Sequence, residues 1–97
     1  MTRQQQVFEA DVTVTDPEGI HLRTAAALVR AASRFPNAEL LISKGGHEIN
    51  GKSIMGVLTL VAEKGSRLRF RARGDDAEKL IEVMVAMFQP GGGAVET

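Results

Sequence analysis

Residues 19–26 read Gly-Ile-His-Leu-Arg-Thr-Ala-Ala, with His21 and Arg23 where turn residues give way to a helical pattern. A helix N-terminus leaves its first N–H groups unpaired and carries about half a positive charge. Those donors suit an anion, and they favour the neutral, nucleophilic imidazole over the imidazolium. Arg23 supplies a planar fork that matches phosphate oxygens. Residues two apart do not share a helix face, so His21 and Arg23 converge only if His21 is the cap, outside helical geometry. Gly19 allows the sharp bend that would put it there. The constellation can accept a phosphoryl group on a ring nitrogen and hold it. The plainer reading, a surface histidine capping a helix, stays open on these residues alone.

A second stretch, Lys52-Ser53-Ile54-Met55-Gly56-Val57-Leu58, invites a similar question. Ser53 reads as an N-cap before a short apolar helix. A phosphate there would add a charge of about −1.5 to −2 at the favourable end of a helix, changing the surface without unfolding anything. Some of Ile54, Met55 and Leu58 must pack inward. The remainder, with Leu22, would form an exposed apolar patch beside His21, and such patches mark partner sites. A dianion on Ser53 would oppose docking on that patch.

The elements that must position these residues follow from periodicity. Residues 7–14 alternate as a strand, with Phe8, Ala10, Val12 and Val14 on the buried face. Asp16-Pro17-Glu18-Gly19 is a turn. A helix spans about 21–34, its buried stripe Ala25, Leu28, Val29 and Ala32, and Pro36 stops it. Residues 38–43 and 47–49 form a hairpin about Lys44-Gly45-Gly46. Residues 53–61 suit either a strand or a helix, and the Ser53 cap favours a short helix despite Gly56. Arg67–Arg73 is a strand with Leu68, Phe70 and Ala72 inward and four arginines outward. Asp75 with Glu78 spells a capping box for the last helix, whose stripe is Ala77, Leu80, Ile81, Met84 and Phe88. The order β-α-β-β-α-β-α, with every strand polar on one face, predicts an α+β open-faced sandwich. It is a four-stranded antiparallel sheet with three helices on one face. One domain over 7–89 is expected, between flexible segments 1–6 and 90–97.

Composition excludes several classes of function. Twelve Lys+Arg balance twelve Asp+Glu, and the four aromatics are all Phe, so neither nucleic acid nor an anionic membrane is favoured. No run approaches the ~20 apolar residues of a membrane span. The chain has no cysteine and two histidines, His21 and His47, which speaks against a metal site or a disulfide framework and fits the cytoplasm. No cofactor motif is present. Arg67, Arg69, Arg71 and Arg73 read as a solvated sheet face offset by Glu9 and Asp11, Gly45-Gly46 as a hairpin turn, and His47 as an exposed strand residue. A monomer is the default.

The two stretches together resemble the HPr family, the histidine-containing phosphocarriers of the bacterial phosphoenolpyruvate:sugar phosphotransferase system. Gly19–Ala25 is similar to its active-site motif, and Lys52–Leu58 to its regulatory-serine region. The resemblance spans about residues 7–88 with matching element order. It implies that His21 takes a phosphoryl group on Nδ1 from phosphorylated Enzyme I and passes it to an EIIA-type sugar-permease component. Arg23 would neutralise phosphoryl oxygens, and the backbone N–H groups of Leu22 and Thr24 would complete the cradle. Ser53 would be the target of HPr kinase/phosphorylase, and a transcription regulator would read the phospho-Ser53 form. Leu22, Ile54, Met55 and Leu58 would dock partners. Two letters depart from the family pattern. Leu22 stands where a small residue or Thr is usual, and Thr24 where proline is usual. Thr24 loses proline's fixed φ but adds a hydroxyl and an N–H within reach of a phosphate. Glu18 is a nearby carboxylate that would repel a phosphoryl dianion. The competing readings are a regulatory paralogue acting through Ser53, a phosphorelay without sugar transport, and a small α/β domain whose motif is coincidental.

Overall fold

The computed structural model describes residues 6–89. β1 (Val7–Thr13), α1 (Leu22–Ala32), β2 (Ala38–Lys44), β3 (His47–Asn50), α2 (Ile54–Leu58), β4 (Arg67–Gly74) and α3 (Ala77–Met87) follow in the expected order. The four strands form one antiparallel sheet in the order β1-β4-β2-β3. The helices cover one face, so the fold is the open-faced sandwich. The expected terminal segments 1–6 and 90–97 lie outside the described residues, Gln6 apart.

Alternation places the core. Val12, Leu40, Ile42, Leu68, Phe70 and Ala72 point beneath the helices and are buried, while Phe8 and Ala10 are half-buried against them. Phe70 is fully buried and stacks at a tilt on Phe88, with centroids 5.7 Å apart, the kind of aromatic contact that adds to area burial. The helical stripes meet it from above: Ala25, Leu28 and Ala32 of α1, Val57 of α2, and Ala77, Leu80, Ile81 and Met84 of α3. Val29 packs at the edge of this cluster.

The other sheet face is a charge ladder set by register. Asp11 stands opposite Arg69, Glu9 opposite Arg71 and Glu39 opposite Arg73. Arg69 Nε donates to Asp11 Oδ1 at 2.9 Å, Arg73 pairs with Glu39 at 3.2 Å, and Arg71 Nη1 donates to Glu48 at 3.3 Å. Arg71 Nε lies 3.1 Å from Glu9 Oε2, an ion-pair distance, but off line for a hydrogen bond. Three of the four arginines are thus matched within the sheet, as expected for a solvated face.

The hydrogen bond from Arg69 holds the Asp11 carboxyl below its ordinary value. A lowered folded-state value contributes stability that is complete above the unfolded value and lost as pH falls through the folded one. Asp11→Asn should therefore flatten the acid limb of the stability curve below about pH 4 and leave the neutral limb nearly parallel to that of the parent. Thermal melts from pH 2 to 7 check this, and an unchanged acid limb would remove Asp11 from the account.

Three helix boundaries differ from sequence expectation. α2, expected within 53–61, covers only Ile54–Leu58. α1 ends at Ala32, with Ser33 as C-cap, two residues before Arg34. The capping box at Asp75 does not form: Asp76 is the N-cap of α3 and its side chain makes no cap hydrogen bond. Adjacent aspartates give the local pattern two candidates, and the chain leaving Gly74 selects the second. Gly74 has φ +122, and an added Cβ would collide with the Asn37 carbonyl oxygen.

Candidate functional site

The loop before α1 is shaped by its turn residues. Asp16 accepts from Glu18 N through Oδ1 at 2.9 Å and from Gly19 N through its carbonyl at 2.8 Å. Gly19 has φ +70 and is buried against the backbone of Ala62 and Glu63. Ile20 N then donates to the Ala62 carbonyl at 2.8 Å. The chain enters the helix from a point fixed on two sides.

His21 is the N-cap residue of α1, with extended backbone (φ −116, ψ −175), and its side chain caps nothing. The first helical bond runs from Ala25 N to His21 O at 2.8 Å. The N–H groups of Leu22, Arg23 and Thr24 therefore precede the intrahelical ladder. No acidic side chain occupies the first turn, so this helix end keeps its positive character. Arg23 is exposed and forms no ion pair among the described residues.

The imidazole is engaged on one side. Nε2 lies 3.2 Å from Thr24 Oγ1 and 3.7 Å from Glu18 Oε1. Among the described residues Nδ1 has no hydrogen-bond partner. A carboxylate facing Nε2 favours the tautomer with its proton there, leaving the lone pair on Nδ1. Thr24 thus has a role that motif reading missed: its hydroxyl reaches back to the cap side chain. The signal was its spacing, since Thr24 holds the N3 position from which capping-box side chains also reach back.

Ser53 is the N-cap of α2, as the spacing predicts. Its Oγ accepts from Gly56 N at 3.0 Å, and its backbone is extended. The missing side chain at Gly56 matters here, because a Cβ would sit 3.3 Å from Ser53 Cβ and Oγ. Of the apolar residues after Ser53, Val57 is buried and Leu58 is half-buried on the core, while Ile54 and Met55 are exposed, Met55 by 71%. Leu22 is 63% exposed.

Two cations outside the predicted set tie α2 in place. Lys52 Nζ donates to the carbonyls of Phe35 and Ala38, at 2.7 and 2.6 Å, joining the start of α2 to the loop after α1. Lys44 Nζ donates to Val61 O at 3.2 Å. His47, exposed as expected, meets Thr59 Oγ1 at 3.2 Å. The Thr59 hydroxyl donates to Gly56 O at 2.6 Å, so His47 Nε2 must be the donor in that contact. These partners are 12 to 17 residues away along the chain, beyond the reach of local pattern. No group of three or more potential metal ligands occurs among the described residues, and no helix there is long and apolar enough to cross a membrane.

Comparison with known proteins agrees with this geometry. The family model described as "PTS HPr component phosphorylation site" matches residues 8–89. The phosphocarrier protein HPr of Xylella fastidiosa strain Temecula1 is 37% identical over 83 residues, 86% of this chain and 92% of its own length. The HPr-like protein Crh of Halalkalibacterium halodurans is 35% identical over 83 residues, 86% of this chain and 98% of its own. The crystal structure of HPr from Bacillus anthracis superimposes with a TM-score of 0.80 at 36% identity, covering 86% of this chain and 98% of that one. With the family model reaching every described element and relatives matched over nearly their whole length, the chain belongs to the HPr family of phosphotransferase-system phosphocarriers.

Proposed function

We propose that this chain accepts a phosphoryl group on Nδ1 of His21 from phosphorylated Enzyme I and passes it to an EIIA-type component in the cytoplasm. The observation that supports this reading most is the divided environment of the His21 ring. Its Nε2 edge faces Thr24 and Glu18, while Nδ1 is free at a helix end whose first N–H groups are unpartnered. In the forward step the Nδ1 lone pair attacks phosphorus, the N–P bond forms, and the bond to the donor's phosphoryl-bearing atom breaks. The N–H groups of Leu22 and Thr24 and the Arg23 guanidinium are the groups that would take up the charge on the phosphoryl oxygens. Glu18 opposes that charge, but it is 79% exposed and so strongly screened. The carrier needs no cofactor, since its partners bring the phosphoryl group in line with the ring. Incubation with phosphoenolpyruvate and Enzyme I tests this reading. An acid-labile phosphate is expected; label found only as acid-stable phosphoserine, and only with ATP and a kinase, would replace the carrier with a regulator.

Ser53 is proposed as the regulatory site, modified by HPr kinase/phosphorylase and read in its phosphorylated form by a transcription regulator. Leu22, Ile54 and Met55 are the exposed apolar surface such partners would cover, with Leu58 contributing only its accessible edge. Ser53→Asp keeps an acceptor at the cap and adds a charge, whereas Ser53→Ala removes the bond to Gly56 N. Stability should fall by about 1 kcal/mol in the alanine variant and less in the aspartate variant. Transfer from Enzyme I should follow the opposite order, falling about tenfold or more only in Ser53→Asp, through like-charge and desolvation penalties at the interface. Equal transfer rates in both variants would remove Ser53 from control of His21.

A further inference from the structure

Val61 follows the short helix α2 and adopts φ +49, the one positive φ at a residue other than glycine among the described residues. For a β-branched side chain this is an outlier that the surroundings must enforce. They do so from both sides. Val61 N donates to Leu58 O at 3.2 Å, and Lys44 Nζ donates to Val61 O at 3.2 Å. The next residue, Ala62, is buried, and its carbonyl accepts Ile20 N, the residue before His21. The strained residue is thus one peptide away from the contact that fixes the entry to α1.

The side chain gains little from folding. Val61 is 64% exposed and is not among the residues packed against the core. Glycine would adopt the same backbone freely, and asparagine nearly so. A branched apolar group held outward at a strained position, on the segment clamped to the His21 loop, is explained if another surface covers it. We infer that Val61 is a specificity-determining residue for phosphoryl exchange at His21, inserting into an apolar recess on the phosphoryl-donor protein. The inference rests on the carrier reading above and adds a residue that neither the active-site motif nor the regulatory-serine stretch contains. Leu22, also exposed, is the residue that follows His21 in the chain.

The test is steady-state transfer from Enzyme I, recharged by phosphoenolpyruvate, with the full chain as varied substrate. Val61→Gly and Val61→Asn relieve the backbone and remove the apolar group. Both should melt at or above the parent temperature, and both should raise KM about tenfold while kcat stays within about twofold. Val61→Ile restores apolar bulk and should restore KM despite the strain. A purely structural role predicts the reverse: Gly and Asn, at ease in this conformation, would leave KM unaltered, and that result overturns the inference. Absence of label in the parent protein would instead overturn the carrier reading itself, so the two failures are distinct.

Discussion

Replacing His21 by alanine is expected to abolish phosphorylation by phosphoenolpyruvate and Enzyme I while leaving the fold intact. The separation of the two effects follows from where the residue sits. The His21 side chain makes no cap hydrogen bond and is 37% exposed, and its one side-chain hydrogen bond goes to Thr24. Truncation leaves no void in the core and no buried group unsatisfied, so the stability loss should stay within about 1 kcal/mol. The backbone carbonyl of residue 21, which accepts from Ala25 N, is untouched. The chemical loss should be total, because no other ring nitrogen stands at this helix end: His47 lies on β3 and is hydrogen-bonded to Thr59. The comparison is a thermal melt beside an assay for acid-labile phosphate. Residual label in His21→Ala would place the phosphoryl group elsewhere.

The second large effect is expected at Gly19. Gly19→Ala places a Cβ in collision with the Ala62 carbonyl oxygen and 2.9 Å from Glu63 Cα, at a residue whose φ is +70. The left-handed backbone alone costs an alanine about 1–2 kcal/mol. Relief of the collision requires the loop to move away from Ala62, which breaks the bond from Ile20 N to the Ala62 carbonyl. A lost buried backbone hydrogen bond adds about 1–3 kcal/mol. The sum, about 2–5 kcal/mol, should lower Tm by roughly 10 °C or more in a domain of this size. Gly45 is the control. It has φ +61, but a Cβ there would meet nothing within 4 Å, so Gly45→Ala should show the conformational cost alone. Equal melting temperatures for the two variants would contradict the steric account. Because the same loop sets the cap geometry of His21, Gly19→Ala should also slow phosphoryl transfer even below its melting range.

The parts of this molecule that could be read from its letters are those set by local period. Arg67, Arg69, Arg71 and Arg73 alternate with buried residues, and a two-residue period admits one arrangement on a half-buried strand. Glu9 and Asp11 read as an offset to that face, and the register of β1 on β4 sets them opposite Arg71 and Arg69. His21 at the cap was legible because a turn with Pro17 and Gly19 precedes an apolar 3.6-residue stripe. Where two local solutions were nearly equal, the letters misled. Asp75, three residues before Glu78, reads as the cap, but the folded chain starts the helix after Asp76. Contacts distant along the chain were silent as well. Lys52 reads as one more surface charge until the loop at Phe35 and Ala38 folds against it. Valine is a poor choice for a left-handed backbone, so the conformation of Val61 ran against its own propensity. At the candidate site, the Thr24 hydroxyl and the Glu18 carboxylate gain their bearing on the imidazole only once the turn is closed.

That bearing supports the central claim, that the phosphoryl group resides on Nδ1 of His21. Nitrogen-15 labelling of the histidines with proton–nitrogen correlation spectra, recorded before and after phosphorylation by Enzyme I, tests it directly. In the resting protein the His21 ring should show its proton on Nε2. After transfer, a phosphorus coupling should appear on Nδ1 of His21, with His47 unchanged. A coupling on Nε2, or on His47, would contradict the assignment.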